Sequence, residues 1–261
     1  MKRNISILIA LIVLSCFLSS CKKVIKLDLG TSSPQIVIQG DIYDHRGPYT
    51  VQISKSVEFY DSSTYPAVSG ATVTISDSSG NSDLLKETSP GLYVTSTLKG
   101  VQGRTYTLLV KTGGQTYTAS STIPVAVGIA SLYFQKSIFG SSIFPSITFN
   151  DPANISNYYR LVYFINNAQQ DDINVTDDKL NAGKTINYVI RPLDADKKLV
   201  TGDVVTIWLE TIDNGVYEYF RTAGREGGQS ASPANPTSNI SNGALGYFNA
   251  CAVRTISAIV P

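Results

Sequence analysis

The sequence predicts an all-β protein of two β-sandwich domains, the second carrying one short helix. Three observations lead there. Short runs rich in Val, Ile, Thr and Tyr alternate apolar with polar residues, the period of a half-buried strand. Glycine and proline recur between those runs at turn spacing, which points to antiparallel sheets rather than strand–helix–strand units. A single stretch, Gly215–Arg225, follows a helical period instead.

The chain begins with a targeting segment. Lys2 and Arg3 precede an apolar run from Ile5 to Leu18, broken only by Ser6, Ser15 and Cys16. That run is shorter than the ~20 residues a membrane-spanning helix needs and fits the apolar region of a secretory signal. Leu18-Ser19-Ser20-Cys21 then sets two small residues before a cysteine. This resembles the lipobox of bacterial lipoproteins, in which the cysteine is alkylated by diacylglycerol and the signal is cut just before it. Residues 1–20 are therefore expected to be a lipoprotein signal peptide and Cys21 the lipidation site. An ordinary cleaved signal with an incidental cysteine is the competing reading, and Cys16 is a poorer anchor because Leu14 stands where a small residue is commoner. At ~0.8 kcal/mol per buried CH₂, two or more acyl chains hold firmly.

Loss of Lys2 and Arg3 brings the 21 basic residues close to balance with the 20 acidic ones. No field of one sign remains to attract nucleic acid, so nucleic-acid binding is not expected. Of three cysteines, Cys16 leaves with the signal and Cys21 takes lipid. Cys251 is left without an intrachain partner, so the fold must rest on packed cores.

Residues 21–34 read as a lipidated tether. Extended at 3.3–3.6 Å per residue, Lys22–Pro34 reaches ~45 Å, although Val24-Ile25 and Leu27-Leu29 could instead dock as a strand. The first sandwich is expected over 35–124. Its strands are Gln35–Asp41, Tyr49–Ser54, Ala71–Ser76 and Tyr106–Lys111, with a turn at Asp44–Pro48 and glycines at 80, 91, 100, 103, 113 and 114 between them. Ile123–Gly128 reads as the connector to a second domain, 125–261. Its strands are Ser131–Phe134, Pro145–Phe149, Tyr158–Ile165, Thr185–Arg191, Asp203–Ile212 and Gly246–Ile256. Within 215–225, Val216, Tyr219, Phe220 and Ala223 fall on one helical face. Asp213 or Asn214 can cap its start and Gly227 its end. Gly227–Asn242 is a long Gly/Ser/Pro/Asn loop, uncommon unless functional or mobile.

Val68–Thr122 resembles the transthyretin-like fold of carboxypeptidase regulatory domains. The residues that carry this are Gly70–Ile75, Asp77, Gly80, Gly91-Leu92-Tyr93, Gly103–Tyr106 and Leu108. The expected class is thus a transthyretin/immunoglobulin-like first sandwich and a fibronectin-III-like second one. Over nearly its whole length the chain also resembles the Bacteroidota envelope lipoproteins of domain of unknown function 4249. The matching residues are Cys21 with Ile25–Leu29, Phe149–Pro152 with Tyr158-Tyr159-Arg160, Gly202-Asp203, Asn239-Ile240 and Gly243–Phe248. Such proteins are often encoded beside TonB-dependent outer-membrane receptors. The resemblance implies an envelope protein held in lipid through Cys21, with such a receptor as partner, and implies no reaction; no aspartate follows Cys21 to hold it in the inner membrane, so the outer membrane is expected, with either leaflet open. Lys22, Lys23 and Lys26 after the cysteine slightly favour the periplasmic side.

Candidate chemistry is sparse. His45, the only histidine, sits in a turn, where solvent exposure is expected. Asp171, Asp172, Asn174, Asp177 and Asp178 are oxygen-rich, and Asp172, Asn174 and Asp178 are the weak calcium candidates. The EF-hand pattern fails, with Asp177 where Gly is needed and Gly183 where Glu is needed. Asp151, Asp203, Glu210, Asp213 and Glu218 are available as paired carboxylates for glycoside hydrolysis, with nothing to select a pair. No cofactor is implied. Tyr159 and Tyr163 should share one face of their strand and Tyr158 the other. Trp208 is expected in the core, and Cys251 as a buried, inert thiol. Tyr247 and Phe248, with Asn239, follow or flank the long loop and are the candidate partner-binding residues. The leading expectation is a non-catalytic envelope lipoprotein that assists a receptor or captures a ligand; a structural or adhesive module is the alternative, and a carboxylate hydrolase a third.

Overall fold

The computed structural model describes residues 33–57, 65–137, 140, 142–191, 198–226 and 235–261. The signal, Cys21, the tether to residue 32 and the first half of the long loop, 227–234, lie outside them.

Alternation builds the first sandwich. In β1 (Ile36–Tyr43) and β2 (Thr50–Lys55), Ile38, Ile42, Val51 and Ile53 turn inward and are buried. They face Val73 and Ile75 of β3 (Thr72–Asp77) and Tyr106, Leu108 and Val110 of β7 (Thr105–Thr112). The three short strands β4 (Ser82–Leu84), β5 (Lys86–Ser89) and β6 (Leu92–Val94) complete the two sheets together with β8 (Gln115–Thr122). One sheet runs β4-β3-β7-β8, and the other carries β1-β2-β6-β5. Each fully buried Ile or Leu here contributes about 1.5–3 kcal/mol. Gly113 and Gly114, at φ 55° and 73°, make the two-residue turn that joins β7 to β8.

The second sandwich sets β14-β10-β9 against the remaining strands. These three are β9 (Ile129–Lys136), β10 (Ile143–Asn150) and β14 (Thr185–Val189). Opposite them lie β11 (Tyr158–Ile165), β15 (Val204–Ile212) and β16 (Leu245–Ile259), with β12 (Ala168–Gln169) and β13 (Asn174–Asp177) beside β11. Tyr159 and Tyr163 enter this core with Ile147, Phe149, Ile207 and Leu209, and Tyr158 points the other way, as alternation requires. The fold is all-β: two β-sandwiches with one short helix among the described residues.

Strand β16 ties the halves together. Leu245–Cys251 pairs in parallel with β1, and Ala252–Ile259 pairs antiparallel with β15. One nine-stranded sheet therefore runs β12-β11-β15-β16-β1-β2-β6-β5, with β13 off β11. The residues assigned to 35–124 and to 125–261 share that sheet, and Pro34–Pro261 form a single unit by their contacts. Close approach at the junction is bought by Gly246, at φ 93°, where a Cβ would lie 2.0 Å from the Ile38 carbonyl oxygen.

Helix α1 (Asn214–Glu226) follows β15 directly. Asp213 is its N-cap: Oδ1 accepts from the Val216 N–H at 2.9 Å. The other oxygen, Oδ2, accepts from Ser121 Oγ at 2.6 Å and the Thr122 N–H at 3.0 Å, which fastens the helix start to β8. Val216, Tyr217 and Phe220 are buried beneath the helix against Ile212 and Cys251.

Trp208 departs from expectation. It is half-buried and lies outside both cores, 4.9 Å from the Phe164 ring and 6.1 Å from that of Tyr43. Its neighbours Ile207 and Leu209 take the core side, so alternation sends Trp208 to the opposite face.

Candidate functional site

The register of the nine-stranded sheet sorts its residues onto two faces. Phe248, Ala250 and Ala252 of β16 join Ile38 and Ile42 in the first core, and Leu161 and Leu209 lie in the second. The opposite face presents Asp41 and Tyr43 of β1, Tyr247, Asn249 and Cys251 of β16, Glu210 of β15, and Arg160 of β11. α1 packs over this outer face, so polar positions that would otherwise meet water are enclosed.

Arg160 and Glu210 are direct cross-strand partners. Arg160 Nη1 donates to Glu210 Oε2 at 3.0 Å, with the Glu210 side chain 1% exposed and that of Arg160 16%. The guanidinium also lies 4.0 Å from the centroid of the Phe220 ring on α1, a cation–π contact that shields it further. Beside this pair, Asn249 Nδ2 donates to Asp41 Oδ1 at 3.0 Å and Tyr247 OH donates to Asp41 Oδ2 at 3.2 Å. Burial pushes both the Asp41 and Glu210 carboxyls above their ordinary values, although Arg160 opposes the rise in each. Burial opposes the charge of Arg160, and Glu210 and Asp41 hold the guanidinium charged nonetheless. Burial also raises the phenol of Tyr247 and the thiol of Cys251, which is fully enclosed and unreactive in character.

A pocket of about 280 Å³ opens at the rim of this cluster. The sheet supplies Arg160, Tyr247 and Gln39 to it, and α1 supplies Tyr219, Phe220 and Ala223. β12 contributes Gln169, and the segment after it Gln170, Asp171 and Asp172. The three rings form a cluster: Tyr219 to Tyr247 is 5.0 Å between centroids, Phe220 to Tyr247 4.8 Å, and Tyr219 to Phe220 5.1 Å. Hinging the segment against β11 is a two-residue turn, Asn166-Asn167, at φ 49° and 69°. Tyr163 OH then donates to Asp172 Oδ2 at 2.8 Å and fixes the far wall. A larger recess of about 500 Å³ lies on the first sandwich. Asp77 and Arg104 there are closed on each other at 2.7 Å, Lys99 lines it too, and none of the described residues lining it is aromatic.

The expected site residues divide. Tyr247 lines the pocket. Phe248 is turned away from the pocket into the first core, with 0% exposure, because adjacent strand residues take opposite faces. Asn239 is also occupied, its amide donating to the Phe248 carbonyl at 2.8 Å while its oxygen accepts from the Phe248 N–H at 3.0 Å. It therefore acts as a side-chain substitute for a neighbouring strand rather than as a contact residue. Cys21 lies outside the described residues.

The weak calcium candidates do not converge. Asp172 accepts from Tyr163, Asn174 Nδ2 donates to the Asp172 carbonyl at 3.2 Å, and Asp178 Oδ2 accepts from the Asn157 N–H at 2.9 Å. Among the described residues no three His, Cys, Asp or Glu side chains are grouped to hold a metal ion. Each carboxylate considered for hydrolysis has a structural task. Asp151 accepts from Tyr159 OH and the Gly183 N–H, Asp203 from the Val200 N–H, and Glu218 from Arg221. Asp213 caps α1, and Glu210 holds Arg160. His45 is exposed and stacks on Tyr43 at 5.5 Å. Arg160, Asp41, Tyr219 and the glutamines were not singled out by sequence as a site. For Arg160 the local signal is a charge placed inside an apolar strand, Tyr158-Tyr159-Arg160-Leu161.

A family model described as domain of unknown function (DUF4249) matches residues 22–257. No curated protein matches the chain. Among solved structures, a two fibronectin type-III domain segment from chicken tenascin is similar at 13% identity. The match covers 88% of this chain and 99% of that one, with a TM-score of 0.23.

Proposed function

This chain belongs to the DUF4249 family, and on that premise we propose that it is a non-catalytic lipoprotein of the bacterial outer membrane, anchored through Cys21, which captures a ligand in the α1 pocket as an accessory of a TonB-dependent receptor. The anchor is supported by the order of basic start, apolar run, small pair and cysteine at residues 2–21.

The single observation that carries the binding role is the pocket itself. Rings, amides and acids from α1, β1, β11, β16 and the segment after β12 converge on one concavity. Concave sites lined by aromatics with a few placed polar groups are the usual form of a ligand site. Its base is an enclosed ion pair with a ring over it, a rigid support for whatever binds above. The carboxylates nearby are engaged in holding the structure, which supports binding over hydrolysis.

Detergent extraction of the full chain from its native membrane tests the role. The expected result is co-purification with a membrane β-barrel at a fixed ratio. Repeated recovery as a lone monomer contradicts the receptor partnership.

A further inference from the structure

The recess on the first sandwich stands apart from the α1 pocket. It opens between the turn after β3 and the segment joining β6 to β7. We infer that it binds a small oxyanion, a phosphate or carboxylate group, through Lys99 and Arg104. The acids beside it are closed. The Asp77 side chain is 1% exposed, and both its oxygens are taken. Oδ1 accepts from the Ser79 and Asn81 N–H groups at 3.0 and 2.9 Å, and Oδ2 from Asn81 Nδ2 at 2.8 Å and Arg104 Nη1 at 2.7 Å. Asp83, next in sequence to the lining residue Ser82, is buried too. Its carboxylate accepts from the Ser96, Thr97 and Leu98 N–H groups and from two hydroxyls. Neither acid presents an open carboxylate to a cation.

The cations are open. A guanidinium carries five N–H donors, and among the described residues the Arg104 side chain has the single partner Asp77, with 32% of it exposed. Lys99 is exposed, and Arg46 stands directly across from it in an antiparallel bridge, exposed as well. No described acid pairs with either. Like charges placed directly opposite destabilise a strand pair, and an anion seated beside Lys99 relieves that repulsion. The exposed Ser82 hydroxyl adds a donor at the wall. The volume of about 500 Å³ falls in the usual range of small-molecule sites, and the mostly polar lining suits a compact charged group.

The test is isothermal titration of the detergent-solubilised full chain, at physiological salt, with pyrophosphate and with citrate. These separate a phosphate from a carboxylate preference. Hexaglutamate stands for an acidic protein surface and spermidine for a cation. Pyrophosphate or citrate should bind. Lys99 and Arg46 are exposed, so Arg46→Gln with Lys99→Gln should keep the melting temperature while weakening that binding at least tenfold. Lys55→Gln with Lys111→Gln removes the same charge from exposed positions at the other end of the sandwich, and should leave affinity unchanged. Binding of neither small anion at millimolar concentration, whatever hexaglutamate or spermidine does, overturns the inference. Equal weakening by the two double variants overturns it as well, because the effect would then belong to net charge. None of these results touches the α1 pocket or the receptor role.

Discussion

Arg160 and Glu210 sit opposite each other on β11 and β15 and close a 3.0 Å ion pair beneath α1, on the side of the sheet away from both cores. The pair couples the helix to the sheet, because the Phe220 ring covers the guanidinium. Removing one partner leaves the other buried without its countercharge. Glu210→Gln should therefore cost about 3–5 kcal/mol of unfolding free energy. Arg160→Met with Glu210→Leu should recover most of that loss, since an apolar pair carries no desolvation penalty. Urea denaturation of the two variants checks the order; a double variant less stable than Glu210→Gln contradicts it.

The buried acids give the protein an unusual pH dependence. Asp41 and Glu210 are raised by burial above their ordinary values of 3.8 and 4.5, so the folded state holds their protons more tightly than the unfolded chain. Their contribution is complete below about pH 4 and is lost as pH climbs through the raised folded values. Asp41→Asn removes one of these titrations while keeping polar partners for Asn249 and Tyr247. Its melting temperature should exceed that of the parent at neutral pH and approach it at acid pH. An Asp41→Asn curve parallel to the parent from pH 4 to 8 would show that the site does not titrate.

Asp83 runs the other way. Burial alone would raise its carboxyl, but the Thr97, Leu98 and Ser96 N–H groups donate to it at 2.7–2.9 Å and hold it below the ordinary value. That stabilisation is present above about pH 4 and is lost as pH falls through the depressed value. Asp83→Ala strands three donors, so its unfolding free energy at pH 7 should drop by about 3 kcal/mol, with the gap to the parent narrowing in acid. A constant gap down to the lowest pH reached refutes the assignment.

Gly246 pairs with Ile38 where β16 runs beside β1, with no room for a side chain. Gly246→Ala puts a methyl 2.0 Å from the Ile38 carbonyl oxygen at a left-handed backbone position. A loss of about 3 kcal/mol is expected, together with faster amide exchange along Val37–Tyr43. Gly80→Ala is the control: its φ is also positive, at 87°, but a Cβ there meets nothing within 4 Å. It should cost about 1 kcal/mol. Equal effects at the two glycines would mean that the close approach is unimportant.

Asp213 serves two masters, capping α1 and binding β8 through Ser121 and Thr122. Asp213→Ala should cost about 2 kcal/mol, the upper end for a cap. Asp213→Ser, which retains an oxygen for Val216, should recover part of it. A Ser variant no better than Ala would place the whole effect in the β8 contacts.

Much of this was visible in the chain. The strand at Tyr158–Ile165 follows from alternation, with Tyr159 and Tyr163 on the core side, and so does the helix with its Asp213 cap. Alternation also explains the misplaced residues. An apolar strand suggests a core place for Trp208, and the long loop before Phe248 suggests contact for that ring, whereas a strand position is decided by parity with its neighbours. β4, β5 and β6 are too short to show a period, and β8 carries mostly Thr and Ser. The parallel pairing of Val37–Tyr43 with Leu245–Cys251 joins segments some two hundred residues apart, and no local pattern announces it. The pocket depends on that pairing, because it brings Gln39 beside Tyr247. Arg160 and Glu210 look like ordinary outward-facing charges until α1 covers them.

Everything proposed about place begins at Cys21. Intact-mass analysis of the N-terminal fragment, released by protease from the membrane-bound protein, tests this directly. A mature chain starting at Cys21 and carrying diacylglycerol with a further acyl group is the predicted result. A terminus at Met1, or a Cys21 with an unmodified thiol, contradicts the lipid anchor and the outer-membrane role built on it.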